Sequence, residues 1–402
     1  MRLLDAVLRR GETLDQAFGS ATSDIRKFED RALARAIASE TLRWMVDLDG
    51  LIDSATKRAL PGDAKARVVL RMMLAQWLRL DTPPHAAIAT GLPLLSGGPR
   101  RLAHGVFSTL ASREARLPAY PALPHDVETR WGDRAGAIAA GLAEPPPLDL
   151  TLRDPSQTEL WQTKLAADSF APGHLRIARG EAVERLPGFD EGTWWVQDLA
   201  ASLPARLLGA GRKDGNASHA LDLCAAPGGK TLQLAAQGWQ VTALDRSKRR
   251  LQMVKDNLKR TGLAASTVRA DALEWEPRHL FDAILIDAPC TATGTARRHP
   301  DVLHRIGPRE IEAATGLQAA LLARAAAWLK PGGRLVYAVC SLEKEEGEAR
   351  AAEVGLAPDP IEADELPSGL LPTPEGWLRT DPGMLTDEGG LDGFFVARWR
   401  GR

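Results

Sequence analysis

Cysteine is scarce in this chain: 402 residues carry three. None stands in C-x-x-C spacing, so a disulfide framework and a cysteine-built zinc site are both excluded, and a reducing compartment fits. No excess of one charge exists either. The 51 basic and 52 acidic residues leave a net charge of −1, which rules out a whole-surface polycation. A local basic face remains open, because positions 1–130 carry 19 basic against 15 acidic residues. No apolar run approaches the roughly 20 residues needed to span a bilayer. The opening MRLLDAVLRRGETLDQAF has no apolar core, so no signal peptide is expected. The expectation is a soluble, cytoplasmic, monomeric protein with no membrane partner and no bound metal.

The chain has room for two or three domains. Residues 1–125 read as an all-helical module rich in Ala, Leu and Arg. In RALARAIASETLRWMVDLDGLIDSAT the residues Leu33, Ile37, Leu42, Met45 and Leu48 recur at helical spacing, and VVLRMMLAQWLRL repeats the pattern. Pro61-Gly62 and Pro83-Pro84 punctuate it. Residues 126–215 read as a linker, rich in Pro around AEPPPLDLTLR, and a small α+β segment whose β-prone pieces are HLRIAR and TWWVQDLA. From 216 to 402 apolar strands alternate with amphipathic helices. Strands are expected at 219–224, 241–245, 267–270, 282–287 and 334–340, helices at 230–237, 247–261 and 310–329, and a last strand at DGFFVARW. Strand–helix alternation implies an α/β, doubly wound, Rossmann-like parallel sheet, with ligands beyond the carboxyl ends of its strands.

The first of these strands runs into DLCAAPGGKTLQLAA. A Gly-rich turn between strand and helix brings backbone N–H groups to a ligand. The turn Cys224, Ala225, Ala226, Pro227, Gly228, Gly229, Lys230 has neither G-x-G-x-x-G nor G-x-x-x-x-G-K, which argues against a dinucleotide or nucleotide phosphate. Asp245 ends the second strand, where a carboxylate can hold ribose hydroxyls. Asp271 follows the third, placed to take an exocyclic amine, and Asp287 ends the fourth. Any one Asp could be a helix cap. Together with Asp222 they form the layout of an S-adenosyl-L-methionine site.

Two of the three cysteines follow strands of the same sheet: Cys290 in LIDAPCTATGTARRHPD and Cys340 in LVYAVCSLEKEE. A buried free cysteine is ordinarily a small hydrophobe, and Cys224 is read that way as a thiol. A thiolate beside a methyl donor can do more. Carbon 5 of cytosine is too electron-poor to take a methyl group. Addition of a thiolate at carbon 6 turns carbon 5 into an enamine carbon that can attack a sulfonium methyl.

These motifs resemble the Sun/Fmu group of RNA (cytosine-5) methyltransferases, in the larger family that includes the nucleolar Nop proteins. The resemblance rests on DLCAAPGGKT, DAPCTATGTARRHPD and VYAVCSLEKEE, in family order. It extends to VQDLAAS near 196–202, to DGFF at 392–395, and to PPHAAI in the N-terminal module, which is similar to the NusB-like RNA-binding domain of the RsmB-type enzymes. The resemblance implies that Cys340 attacks carbon 6, that Cys290 helps release the product, and that Asp287 borders the cofactor and contacts the target base. It implies RNA as partner, with small-subunit ribosomal RNA the best fit. Arg297, Arg298 and His299, which follow Cys290, are expected to meet RNA phosphates or the flipped nucleotide. Arg67, Arg71, Arg100 and Arg101 are further candidates. Val339 stands where the family has Thr, and Thr291 where it has Ser. The alternatives are the same chemistry on tRNA or another RNA, a non-catalytic RNA-binding assembly factor, and a small-molecule methyltransferase.

Overall fold

The computed structural model describes residues 1–402 except 181 and 212–217. The expected domain boundary at 215–216 lies outside the described residues. Two compact units result. One comprises Met1–Pro145 with Thr295–Ile306, the other Pro146–Gly294 with Gly307–Arg402.

The first unit is helical: Arg2–Arg10, Leu14–Ala21, Phe28–Arg43, Met45–Ser54, Lys65–Arg79, Pro84–Gly91, Gly97–Ser112, His125–Trp131 and Ala135–Gly141. Thr13 opens the second helix with a capping box, its hydroxyl accepting from Gln16 N–H while Gln16 accepts from Thr13 N–H. Pro84 occupies the first turn of its helix, where a missing N–H costs nothing. Leu48, Ile52, Val69, Leu70, Met73 and Phe107 form a fully buried core, each such side chain stabilising by about 1.5–3 kcal/mol. The helical stripe read from the sequence holds for Leu42 and Leu48 but not for Leu33, which is 50% exposed. The chain breaks at Trp44 between two helices, so one stripe cannot face one core throughout. The stretch expected to be linker holds the last two helices, where Val127, Trp131 and Ile138 are buried.

The second unit holds two sheets. A small antiparallel sheet has the order β2-β1-β3, formed by β1 (Leu148–Leu152), β2 (His174–Ile177) and β3 (Trp194–Val196). Its central strand, β1, lies inside the stretch read as linker. Leu150 and Leu152 pack on one side, while Asp149 is buried and accepts from Arg176 Nε and Nη2, each at 2.7 Å. Burial alone would raise the Asp149 pKa; Arg176 and His174 outweigh it and hold the carboxyl below its ordinary range.

The large sheet contains β4 (His219–Leu223), β5 (Gln240–Asp245), β6 (Ser266–Arg269), β7 (Phe281–Asp287), β8 (Leu329–Val339), β9 (Ala357–Pro358), β10 (Leu378–Thr380) and β11 (Phe394–Arg400). The order is β10-β11-β8-β7-β4-β5-β6, with β9 on β11. Strands β8, β7, β4, β5 and β6 are parallel; β11 and β10 join antiparallel. Both faces are covered. Leu221, Leu223, Ile284, Ile286 and Tyr337 meet the helix Pro308–Trp328 on one side. Ala220, Ala283, Leu285 and Val336 meet Leu203, Leu207 and Leu234 on the other. Burial on both faces is why these strands read as continuous apolar runs. From β4 the chain winds outward through β5 and β6, then returns to β7 on the opposite flank of β4. That places the topological switch between β4 and β7, and opens a crevice at their carboxyl ends.

Candidate active site

The turn after β4 sits at this switch. Cys224 has φ 62° and Gly228 φ 110°, both left-handed, and a Cβ on Gly228 would press on Val254 at 3.3 Å. The Ala226–Pro227 peptide is cis. The helix Gly229–Ala236 begins immediately after, so its unpaired N–H groups face the crevice end of the sheet. Asp222 is fully buried beneath the turn and accepts from Thr231 Oγ1 at 2.5 Å. Burial lifts its pKa to about 7. Burial also pushes the Cys224 thiol up to about 12, so it stays protonated.

The strand-end acids divide by task. Asp245 accepts from Ala226 N–H at 3.2 Å and Ser247 N–H at 2.8 Å, tying the turn to the end of β5. Asp271 is exposed and accepts from Leu273 N–H at 2.9 Å. Asp287 pairs with Lys230 Nζ at 2.7 Å, and that buried ammonium also lies 5.3 Å from the Phe394 ring centroid. A cavity of about 330 Å³ opens beside this pair, bordered also by Ala225, Gly229, Trp195, Asn257 and Arg260.

Strands β7 and β8 are direct neighbours, with Asp287 opposite Ala338. Their extensions bring the two thiols together, Cys290 Sγ standing 3.4 Å from Cys340 Sγ. Both residues are partly exposed. Ala288 N–H donates to Ala338 O at 2.9 Å and Gly294 N–H to Cys340 O at 3.1 Å, so the pairing of the two segments continues past the strands. The hydrogen bond with Cys340, and then burial, push the Cys290 thiol well above its ordinary pKa. Thr291 keeps the hydroxyl that the family's Ser would supply, 3.1 Å from Ser341 Oγ. Val339 is fully buried in the apolar core opposite Phe395. Sequence reasoning misses Glu346, which is fully buried against both cysteine segments.

The basic residues after Cys290 belong to the helical unit. Arg297 is 3% exposed, and its carbonyl accepts from Arg43 Nη2 at 2.8 Å. Its guanidinium is packed inside rather than presented to solvent. His299 lies 3.6 Å from Asp15, and burial lowers its pKa. Arg298 is half-buried. Arg67 and Arg71 are also buried, pinned by Asp49 and Asp53. Arg100 and Arg101 are exposed.

The residues at the switch suit a nucleoside cofactor that carries an amino acid. A helix N-terminus suits a carboxylate, and the acids that end β5 and follow β6 suit hydroxyl and amine donors. One oxygen of buried Asp222 has no partner among the described residues, leaving an acceptor under the turn.

A parallel sheet wound this way, with a Gly-rich turn and acids at successive strand ends, defines an α/β methyltransferase. Residues 213–400 match the family model described as 16S rRNA methyltransferase RsmB/F, and residues 1–94 that of the NusB family. Ribosomal RNA small subunit methyltransferase B of Klebsiella pneumoniae is 33% identical, covering 98% of this chain and 95% of its own length. The protein of that name from Xylella fastidiosa (strain Temecula1) is 34% identical over 99% and 96%. The crystal structure of PH0851 shares the fold, with a TM-score of 0.71 at 22% identity over 99% of this chain and 97% of that one. The chain belongs to the ribosomal RNA small subunit methyltransferase B family. Among the described residues no helix is long and apolar enough to cross a membrane.

Proposed function

We propose that this chain methylates carbon 5 of a cytosine in RNA, with small-subunit ribosomal RNA as substrate. The observation that carries the reading is the 3.4 Å approach of Cys290 Sγ and Cys340 Sγ beside the Lys230–Asp287 pair. Transfer to an exposed amine or hydroxyl would need no thiol. Two thiols at the ends of adjacent parallel strands suit a reaction that makes a bond to the base and then breaks it. The substrate rests on the names of relatives that match nearly the whole chain.

The methyl donor is S-adenosyl-L-methionine, held by Cys224 to Lys230 with Asp245, Asp271 and Asp287, and it supplies an electrophilic methyl group when bound. The Cys340 thiolate adds to carbon 6, and the pair of electrons of the former 5,6 double bond becomes available at carbon 5 for the new bond to the methyl, whose bond to the donor's sulfonium sulfur would break with its electrons staying on that sulfur, leaving S-adenosylhomocysteine. Asp287 and Lys230 hold the base: the carboxylate accepts from the exocyclic amine, and the ammonium steadies charge that builds up on the ring. A base then takes the carbon-5 proton, the 5,6 double bond re-forms, and the Cys340–carbon bond breaks with its electrons returning to sulfur. Cys290, kept as a thiol, assists that release. Incubation with labelled S-adenosyl-L-methionine and RNA from methylation-deficient cells, followed by mapping of 5-methylcytosine, tests the proposal. A label at a cytosine of small-subunit rRNA supports it; a label in tRNA replaces the substrate; label on another base or position removes the chemistry.

A further inference from the structure

We infer that Glu346 is a positioning residue, whose buried carboxylate fastens the segment after Cys290 to the segment after Cys340 and thereby sets the approach of the two sulfurs. The inference rests on the two-thiol reading above and extends it to a residue outside the cysteine motifs.

Glu346 is 0% exposed and has no cation partner among the described residues. A buried carboxylate of this kind is costly unless hydrogen bonds replace its lost water. Here they do. One oxygen accepts from Thr291 N–H at 3.0 Å and from Gln318 Nε2 at 2.8 Å. The other accepts from Ser341 Oγ at 2.6 Å and from the Thr291 hydroxyl. Thr291 directly follows Cys290, and Ser341 directly follows Cys340. One side chain therefore grips both cysteine segments, one residue beyond each sulfur.

The grip is itself anchored. Gln318, on the helix Pro308–Trp328, also donates to Pro289 O at 3.0 Å, so Cys290 is held on both flanks. The Tyr337 hydroxyl donates to Glu346 O at 2.7 Å and fixes the loop that carries the carboxylate. A carboxylate offers four lone-pair sites, which matches the four donors that converge here. Glutamine would present an NH₂ group to donors and lose half the arrangement. A staple needed for stability alone could join any two points of these loops. This one joins the residues next to the reacting atoms.

The geometry can be read without RNA. Phenylarsine oxide condenses with two neighbouring thiols, forming two As–S bonds and releasing water, and it holds a single thiol far more weakly. The reduced full-length protein is expected to capture one equivalent, and Cys290→Ser to lose that capture. Glu346→Ala is expected to weaken capture by at least about tenfold. It should also lower kcat for RNA methylation by about 100-fold, the loss expected from a displacement of about 1 Å at a reacting group. KM for RNA and affinity for S-adenosylhomocysteine should stay as in the parent. Glu346→Gln should fall between the two. Wild-type capture with wild-type kcat in Glu346→Ala overturns the inference, as does a variant whose only change is a lower melting temperature. Should Glu346→Ala fail to fold, Glu346→Gln and Thr291→Val are read by the same two measurements. If the parent captures the arsenical and Glu346→Ala does not, yet the parent methylates no RNA, the positioning role stands and the proposed reaction falls.

Discussion

Lys230 Nζ stands 2.7 Å from Asp287 Oδ2, in an ion pair with the lysine buried and the carboxylate one-third exposed. The two charges come from the start of one helix and the end of one strand, so the pair joins the turn after β4 to the end of β7. Lys230→Met should keep the contact with the Phe394 ring and leave Asp287 without its cation. A fully buried pair broken this way would cost about 3–5 kcal/mol. Water still reaches Asp287, so a loss nearer about 1–2 kcal/mol is expected by urea unfolding. Methyl transfer should drop by at least about tenfold under the proposed role of Lys230 in steadying charge on the ring.

Cys340→Ala is expected to abolish turnover and leave cofactor binding intact, since Cys340 lies outside the turn Cys224–Lys230. Calorimetry with S-adenosylhomocysteine checks the second half, and a methylation assay the first. Loss of cofactor affinity, or turnover at the parent rate, would contradict the assigned role.

Cys290→Ala should accumulate a covalent protein–RNA adduct, because attack by Cys340 remains possible while release is impaired. A denaturing gel shows it as a shifted band that disappears on digestion of the RNA. The absence of any band, from a variant that still binds RNA, would remove Cys290 from the release step.

Asp222 gives a pH signature. Its pKa is raised to about 7 by burial, against an ordinary 3.8 in the unfolded chain. Below pH 4 both states carry the proton and the group has no effect. As pH rises from about 4 to about 7 the unfolded chain loses the proton while the folded one keeps it, so the folded state loses stability across that window. Above about pH 7 the dependence ends. Asp222→Asn should flatten this slope. Urea midpoints for both proteins at pH 5 and pH 8 test it: the parent is expected to lose more stability between them than the variant. Equal losses would show that Asp222 titrates normally.

The catalytic half of the fold is legible because its parallel strands are covered on both faces. DAILID and RLVYAV announce themselves as apolar runs, and the cysteines and acids that follow must then lie at one edge. Less legible is LDLTL, whose strand is hidden behind three prolines and whose buried Asp149 looks like a surface residue until Arg176 is seen to pair with it. Adjacent arginines in RRHPD are chemically identical in the sequence, yet Arg297 is buried and Arg298 is not. Burial there depends on the carbonyl that Arg43 reaches from more than 250 positions away, a pairing with no local signature. In LEKEEGE, Glu345 is exposed and Glu346 fully buried. The donors brought in by Thr291, Gln318 and Ser341 tell the two apart.

Residues 295–306 leave the methyltransferase unit at Gly294, pack among the helices of the other, and return at Gly307. His304 Nε2 meets Leu42 O at 2.7 Å there, and Arg43 holds the Arg297 carbonyl. The polypeptide thus passes between the units three times, not once. A gene fragment cut at residue 145 would not deliver an intact catalytic module: it would carry a twelve-residue orphan whose partners had been left behind on the other piece. The helical unit is therefore no detachable cassette. Removing those helices would strip residues 295–306 of the packing they have in this unit, in the very loop that follows Cys290.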